Sequence, residues 1–298
     1  MRKVLLLFIL VLLVGCGVKK PLDEVVTLKI LSPKGAPSLA LVGYIEDNSM
    51  DDITLVDGTD VISAALLNPN PEYDVIIAPI NLGVTTIQKG SDYQLLGVIT
   101  WGNLYIVENT DLSSTALPMA LFGEGAVPQK VVDAAIDLAV YSDDIRYFNS
   151  VSDVQVALLS KAAAYGLLAE PALSATLIKA NENNINLEVI VDVQAEYNNK
   201  NNTIGYPQAA IFVRSSTYQD IKLAVDELVA YFNDLSVDQV VASISGNEQE
   251  YGVASSNVVA LAWDKMNIEY KKATEVKNEI IAFLKLFNIN DITGVIID

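Results

Sequence analysis

Chemistry in this 298-residue chain is concentrated in six turns that follow short apolar runs. The first, Gly35-Ala36-Pro37-Ser38, joins a Gly that permits close backbone approach to a hydroxyl at a helix start. Ala78-Pro79-Ile80-Asn81 presents an amide, and Thr100-Trp101-Gly102-Asn103 sets a large ring and a second amide around a Gly. Gly123-Glu124-Gly125-Ala126 is a Gly-rich turn entering a helix, and Ala169-Glu170-Pro171-Ala172 puts a carboxylate beside the positive end of a helix. Gly205-Tyr206-Pro207-Gln208 brings a second ring to a Gly/Pro-broken stretch. In open α/β sheets such turns face the crevice beyond the carboxyl ends of the strands, where unpaired N–H groups of helix N-termini also point. Four of the six have a plainer reading beside them: Ser38, Asn81 and Glu170 as helix caps, Trp101 as a core plug.

The six turns supply Trp101, Tyr206, Glu124, Glu170 and several amides, with no Arg, Lys or His. Such a lining favours a neutral or cationic planar ligand over an anion. The 123–126 turn is a weak phosphate cradle, because no Lys-Ser/Thr follows it and Glu124 would repel an anion. Arg146 and Arg214, the arginines beyond residue 2, read as surface or ion-pair residues. The chain contains no His, which removes the Ser-His-Asp triad and the commonest metal ligand. No catalytic residue, metal site or cofactor is therefore expected. One enzymatic route stays open, with Glu124 and Glu170 as acid and base facing each other across a cleft.

The N-terminus reads as an address and an anchor. Arg2 and Lys3 precede eleven apolar residues, Val4 to Val14, too few to span the ~30 Å hydrocarbon core of a bilayer as a helix. A signal peptide over residues 1–15 fits better. The sole Cys follows at Cys16 in Leu13-Val14-Gly15-Cys16, which resembles a bacterial lipobox. Cys16 is then the lipidated (palmitate-bearing) first residue of a polar tether over 16–25, and the protein sits on the extracytoplasmic face of the cell membrane. Beyond residue 15 the chain carries 17 basic and 37 acidic groups, a formal −20, which excludes nucleic acid and anionic lipid as partners.

Positioning the turns falls to alternating strands and helices. Strands are predicted at Val25–Leu31, Ile53–Val56, Asp74–Ala78, Tyr93–Thr100 and Leu104–Val107, with helices from Ser38 to Asp47, Thr59 to Leu67 and Asn81 to Gln88. The pattern restarts with Leu117–Phe122, a helix whose apolar face runs from Val127 to Ala139, Arg146–Phe148, a helix over 152–160, Tyr165–Ala169, a helix opened by Pro171 and Leu187–Val193. Asn198 to Asn202 reads as a solvated loop. From Ile211–Arg214 onward the chain reads as mostly helical, with an amphipathic helix through Ile221 and Phe232 and a long last one from Ala273 to Phe287. Near-continuous apolar strands argue for α/β lobes with doubly wound, mainly parallel sheets. We place lobe 1 at 26–108 plus 206–298 and lobe 2 at 109–205.

Lipobox, two α/β sets joined by two crossovers and trailing helices together resemble a type II periplasmic-binding-protein fold, in particular the SsuA/THI5-like (NMT1-like) group of ABC-importer substrate-binding lipoproteins. Gly35 to Ala40, Leu96 to Tyr105, Gly166 to Pro171 and Tyr206 to Ala209 carry the likeness. The resemblance implies a hinged monomer that closes on a small molecule and hands it to permease subunits. By position it puts Pro37, Ser38, Asn81, Trp101, Gly102, Asn103, Glu124, Gly125, Ala126, Glu170 and Pro171 along the cleft, with 206–208 as one hinge; all of these but Pro171, together with the Tyr206 ring of the sixth turn, are the expected ligand contacts. Many relatives carry Ser or Thr where this chain has Ala126, which weakens an anion site there. Enzymatic THI5-like pyrimidine synthases use a His and a Cys-rich motif that this chain lacks. The expected ligand is an aminopyrimidine or other nitrogen-rich heteroaromatic, with Glu124 or Glu170 accepting from its amino groups and Trp101 or Tyr206 stacked on its ring. A ligand sensor or adhesion lipoprotein reusing the fold is the alternative.

Overall fold

The computed structural model describes residues 26–47, 52–112 and 117–297. The expected signal peptide, the lipidated Cys16 and the tether lie outside the described residues.

The chain opens with β1 (Ile30–Pro33), α1 (Ala36–Leu39), α2 (Val42–Asp47), β2 (Ile53–Val56), α3 (Asp60–Leu66), β3 (Val75–Pro79), α4 (Ile80–Gln88) and β4 (Tyr93–Thr100). A second set follows: β5 (Leu104–Asn109), β6 (Met119–Phe122), α5 (Val127–Ala135), β7 (Ile145–Phe148), α6 (Val151–Leu159), β8 (Tyr165–Ala169), α7 (Ala172–Glu182), β9 (Leu187–Asp192) and α8 (Val193–Asn201). It closes with β10 (Ala209–Arg214), α9 (Tyr218–Asp234), α10 (Val237–Ile244), α11 (Ser256–Met266), β11 (Ile268–Lys272) and α12 (Lys277–Leu284). Two sheets result, with strand orders β11-β4-β10-β3-β1-β2 and β7-β6-β8-β5-β9.

The α/β class with two sheets agrees with expectation, but both sheets are mixed rather than mainly parallel. β1, β2 and β3 pair in parallel, as do β6, β7 and β8. β10 enters antiparallel between β3 and β4, β11 adds antiparallel to β4, and β5 runs antiparallel to both β8 and β9. The reason lies in the crossovers. β4 ends at Thr100 and β5 begins at Leu104 opposite the end of β8 at Ala169, while β10 begins at Ala209 opposite the end of β3 at Pro79. A strand that starts where its neighbours finish must oppose them, and apolar patterning is blind to direction.

Side chains of β10 show the period of two that sandwiches a sheet. Phe212 packs into one core with α4 and α12, while Ile211 and Val213 face a second core with α2, α9 and α11. α4 approaches closely enough that a Cβ at Gly83 would enter the Phe212 ring. The first of these cores continues through Trp101, Leu104 and Tyr206 into Met119, Leu121 and Leu167 of the second sheet. A third, with Val154 and Leu158 of α6, covers that sheet's other face.

Three local expectations give way. Asn198 to Asn202 belongs to α8 and its cap, because Asp192 accepts from the Ala195 N–H at 3.0 Å, Val193 and Tyr197 are buried, and Asn202 closes the helix in the left-handed region. The helix expected to reach Ala139 stops at Ala135, where Ile136 turns extended and Asp137 starts a separate 3-10 turn. The last expected helix, Ala273 to Phe287, shortens to α12, which starts at Lys277 and passes into a 3-10 turn at Lys285–Phe287, and just before it Ile268–Lys272 forms β11, a strand the reading of a mostly helical terminus missed.

Candidate functional site

β1, β2 and β3 of one sheet and β6, β7 and β8 of the other end around one cleft of about 860 Å³. Pro33, Val56, Pro79, Phe122, Asn149 and Ala169, at or just after those strand ends, all line it. The starts of α1, α4, α5, α6 and α7 open onto it as well, so backbone N–H groups edge the space.

Its floor is a polar strip that runs from one sheet to the other. Asn81 follows Ile80, whose N–H donates to the Gln208 carbonyl at 3.2 Å. The Gln208 N–H donates to the Thr100 carbonyl at 2.9 Å, and Asn103 then bridges to β8, accepting on its carbonyl from the Glu170 N–H at 3.0 Å. The Asn103 side-chain NH2 donates to the Glu170 carbonyl at 2.8 Å. Asn81 Oδ1, Asn103 Oδ1 and Gln208 Oε1 are buried without a hydrogen-bond partner. Orphaned buried oxygens are rare in folded proteins and call for an explanation at the site where they gather.

Glu170 is 2% exposed. The Ser174 N–H donates to its Oε2 at 3.0 Å and the Ser174 hydroxyl to its Oε1 at 2.9 Å, while Lys265 Nζ stands 3.9 Å from Oε1. Burial pushes the carboxyl above the usual carboxylate range, against the opposing pull of Ser174 and Lys265. On the walls, Lys34 pairs with Asp57 at 3.2 Å, Lys179 lies exposed on α7, and Gln155 is held by the Ala172 carbonyl and Thr176.

Of the residues expected to contact ligand, Pro37, Asn81, Asn103, Gly125, Ala126 and Glu170 line the cleft, whereas Ser38, Trp101, Gly102, Glu124 and Tyr206 do not. Ser38 is buried and spends its hydroxyl on the carbonyls of Gly35 and Tyr251. Trp101 is 3% exposed, donates its indole N–H to the Glu269 carbonyl at 2.9 Å and lies under the Lys271 ammonium. Tyr206 is fully buried, stacked on Phe283 and edge-on to Tyr197. Both rings fill the junction between the sheets, where large apolar area is worth more inside than beside a wet cleft. Gly102 is buried against Tyr206 and Gln194. Glu124 is exposed outside the cleft, so the paired-carboxylate arrangement is not assembled there. Glu170 caps α7, as its plainer reading had it, yet also lines the cleft.

Sequence reasoning missed Gln208, Lys34, Lys179 and Gln155 as lining residues. Gln208 was within reach, since the turn that was singled out contains it. Arg146 pairs with Asp144 at 2.6 Å and Arg214 with Asp74 at 3.4 Å, both away from the cleft. Among the described residues no cluster of His, Cys, Asp or Glu could hold a metal ion, and no helix is long and apolar enough to cross a membrane.

No protein-family model matches this chain, and no curated protein matches it. Solved structures do. An ABC transporter protein from Parabacteroides distasonis is 23% identical with a TM-score of 0.74, over 90% of this chain and 94% of that one. The periplasmic aliphatic sulphonate binding protein SsuA from Escherichia coli is 14% identical with a TM-score of 0.61, over 91% and 92%. The alkanesulfonate-binding SsuA from Xanthomonas axonopodis pv. citri, bound to MOPS, is 12% identical with a TM-score of 0.61, over 88% and 92%. The chain shares with these structures the type II periplasmic-binding-protein fold.

Proposed function

We propose that this chain is the extracytoplasmic solute-binding component of an ABC importer, acting as a monomer without catalysis. Two hinged lobes, 26–108 plus 206–298 and 109–205, take up a small nitrogen-containing molecule and present it to permease subunits. The observation that carries this reading is the cleft itself: both sheets turn strand ends and helix starts toward one space with a buried, incompletely bonded polar floor. Enclosure by small and apolar groups with a few placed polar ones is the usual make-up of a small-molecule site. The fold shared with substrate-binding proteins of ABC transporters supports it. A heteroaromatic ligand keeps Glu170 as acceptor but loses the stacking expected of Trp101 and Tyr206, which leaves Phe122 as an aromatic wall.

Anchoring through a lipidated Cys16 is part of the proposal and rests on Leu13-Val14-Gly15-Cys16. Palmitate labelling of the wild type that is lost in Cys16→Ala is the expected result; equal labelling removes the anchor. For the binding function, thermal unfolding of the purified protein is followed against panels of pyrimidines, amines, nucleobases, sulfonates and nitrate. A ligand at about 100 times its Kd adds about 2.7 kcal/mol of apparent stability. No shift with any panel counts against a solute-binding role.

A further inference from the structure

We propose that Lys265 and Asn267, at the end of α11, form a side-chain strap between the two sheets that limits how far the cleft opens, and so act as positioning residues for ligand capture. This rests on the hinged two-lobed reading and adds the residues that restrain the hinge.

The two chain crossings do not restrain it by themselves. They lie side by side, since a Cβ at Gly102 would enter the Tyr206 ring and one at Gly205 would stand 3.2 Å from the Trp101 ring. Two adjacent lengths of backbone act as one hinge, about which the sheets rotate through changes in φ and ψ at a few residues. α11 supplies a third attachment. Val259, Ala262 and Met266 are buried in the core that covers the first sheet with α2 and α9, and β11 follows directly and pairs with β4. The helix therefore moves with the first sheet, while its last residues reach the second.

Lys265 Nζ stands 3.9 Å from Glu170 Oε1 beside the start of α7, and the Lys265 carbonyl accepts from the Tyr105 hydroxyl of β5 at 3.3 Å. Asn267 Nδ2 donates to Gln194 Oε1 of α8 at 3.0 Å and to the Gly102 carbonyl at 2.7 Å. The strap thus grips three separate elements of the second sheet's layer. Glu170 suits this part, because its carboxyl has no exposed surface and is held by the Ser174 N–H and hydroxyl. Drawing α11 away from α7 would leave that enclosed carboxylate without its cation, which costs more than parting two surface charges. Asn267 closes α11 in the left-handed region at φ +49, where Gly is the usual residue. The turn does not require an amide, so the amide serves the contacts it makes across the sheets.

The test is double electron–electron resonance on the full-length chain carrying Cys16→Ser, with nitroxides on Val61→Cys of α3 and Val156→Cys of α6. Both positions are exposed, and both helices begin at the cleft, so opening lengthens their separation. Expected is one narrow distance distribution in this parent. Asn267→Gly and Lys265→Met should each widen it and extend it to longer distances, and Lys265→Arg should restore the narrow form. Ser255→Ala is the control: it removes the cap at the other end of α11, where Ser255 accepts from the Val258 N–H at 3.2 Å, and should leave the distribution unchanged. Melting curves establish that each variant folds, and Asn267→Gly keeps the test sound where Lys265→Met does not. A broad distribution in the parent that Asn267→Gly and Lys265→Met leave unchanged overturns the strap and leaves the hinge standing. Equal widening by Ser255→Ala also overturns it, because a weakened helix then accounts for the effect. One narrow distance in the parent and in every variant counts against the strap and the hinge together.

Discussion

Glu170 is a cleft-lining residue whose carboxyl is buried against the start of α7. Its carboxyl is raised by desolvation, so between its ordinary range and its raised one the folded state holds a proton that the unfolded state has released. Its contribution is therefore favourable at low pH and lost as pH rises through the raised range. Asp92, hydrogen-bonded by Ser215 and Ser216, and Asp291, hydrogen-bonded by Thr293, are lowered and act in the reverse sense, contributing above the ordinary carboxylate range and failing as pH falls. Glu170→Gln should thus flatten the decline of stability that sets in as pH rises above the ordinary carboxylate range and leave the acid limb set by Asp92 and Asp291 as it is. Urea melts across a pH series check this; an unchanged decline above the ordinary carboxylate range would mean that Glu170 ionises without cost. Trp101→Ala should lower stability by about 3–5 kcal/mol, as for other large buried rings, because it empties the junction and strands the Glu269 carbonyl.

At the scale of elements, the crossings between the sheets are the least replaceable backbone. Gly102 sits at φ +78, and a Cβ there would run into the Tyr206 ring and come within 2.8 Å of Gln194 Oε1. Asn267 ties the same point down, donating to the Gly102 carbonyl at 2.7 Å and to Gln194 Oε1 at 3.0 Å. Gly102→Ala should cost roughly 2–4 kcal/mol through left-handed backbone and overpacking together. Ser150 begins α6 with a capping box shared with Asp153, and Ser150→Ala should cost about 1 kcal/mol. Chemical denaturation of the two variants separates the cases; a Gly102→Ala loss no larger than that of Ser150→Ala would contradict the packing argument. Strand positions such as Tyr93–Thr100 and Tyr165–Ala169 were legible to the residue, because continuous apolar runs bounded by turns have few other uses. β11 was not legible: Ile-Glu-Tyr-Lys-Lys becomes a strand by pairing with β4, a partner more than a hundred and fifty residues away.

For the molecule as a whole, one apolar core continues from the first sheet into the second through Trp101, Leu104 and Tyr206. The two sheets should therefore unfold together: far-UV and near-UV circular dichroism traces should coincide in one transition. Two separated transitions would mean that the junction carries too little of the stability to couple them.

The sequence by itself determined the two α/β sets, the places where the chain passes between them, the expectation of a cleft at the strand ends and the candidates Pro37, Asn81, Asn103, Gly125, Ala126 and Glu170 that line it. Those follow from local patterning and from turn residues, which act over a few positions. Only the tertiary structure decided strand direction, and only it decided which polar and aromatic groups face the cleft. Trp101 and Tyr206 looked like ligand contacts because rings beside glycines fit either a site or a core, and the choice depends on whether Phe283, Tyr197 and the Glu269 carbonyl arrive from elsewhere in the chain to surround them. Gln208 and the fixed orientation of Asn103 are decided in the same way, by backbone groups that meet across two sheets and leave their side-chain oxygens open.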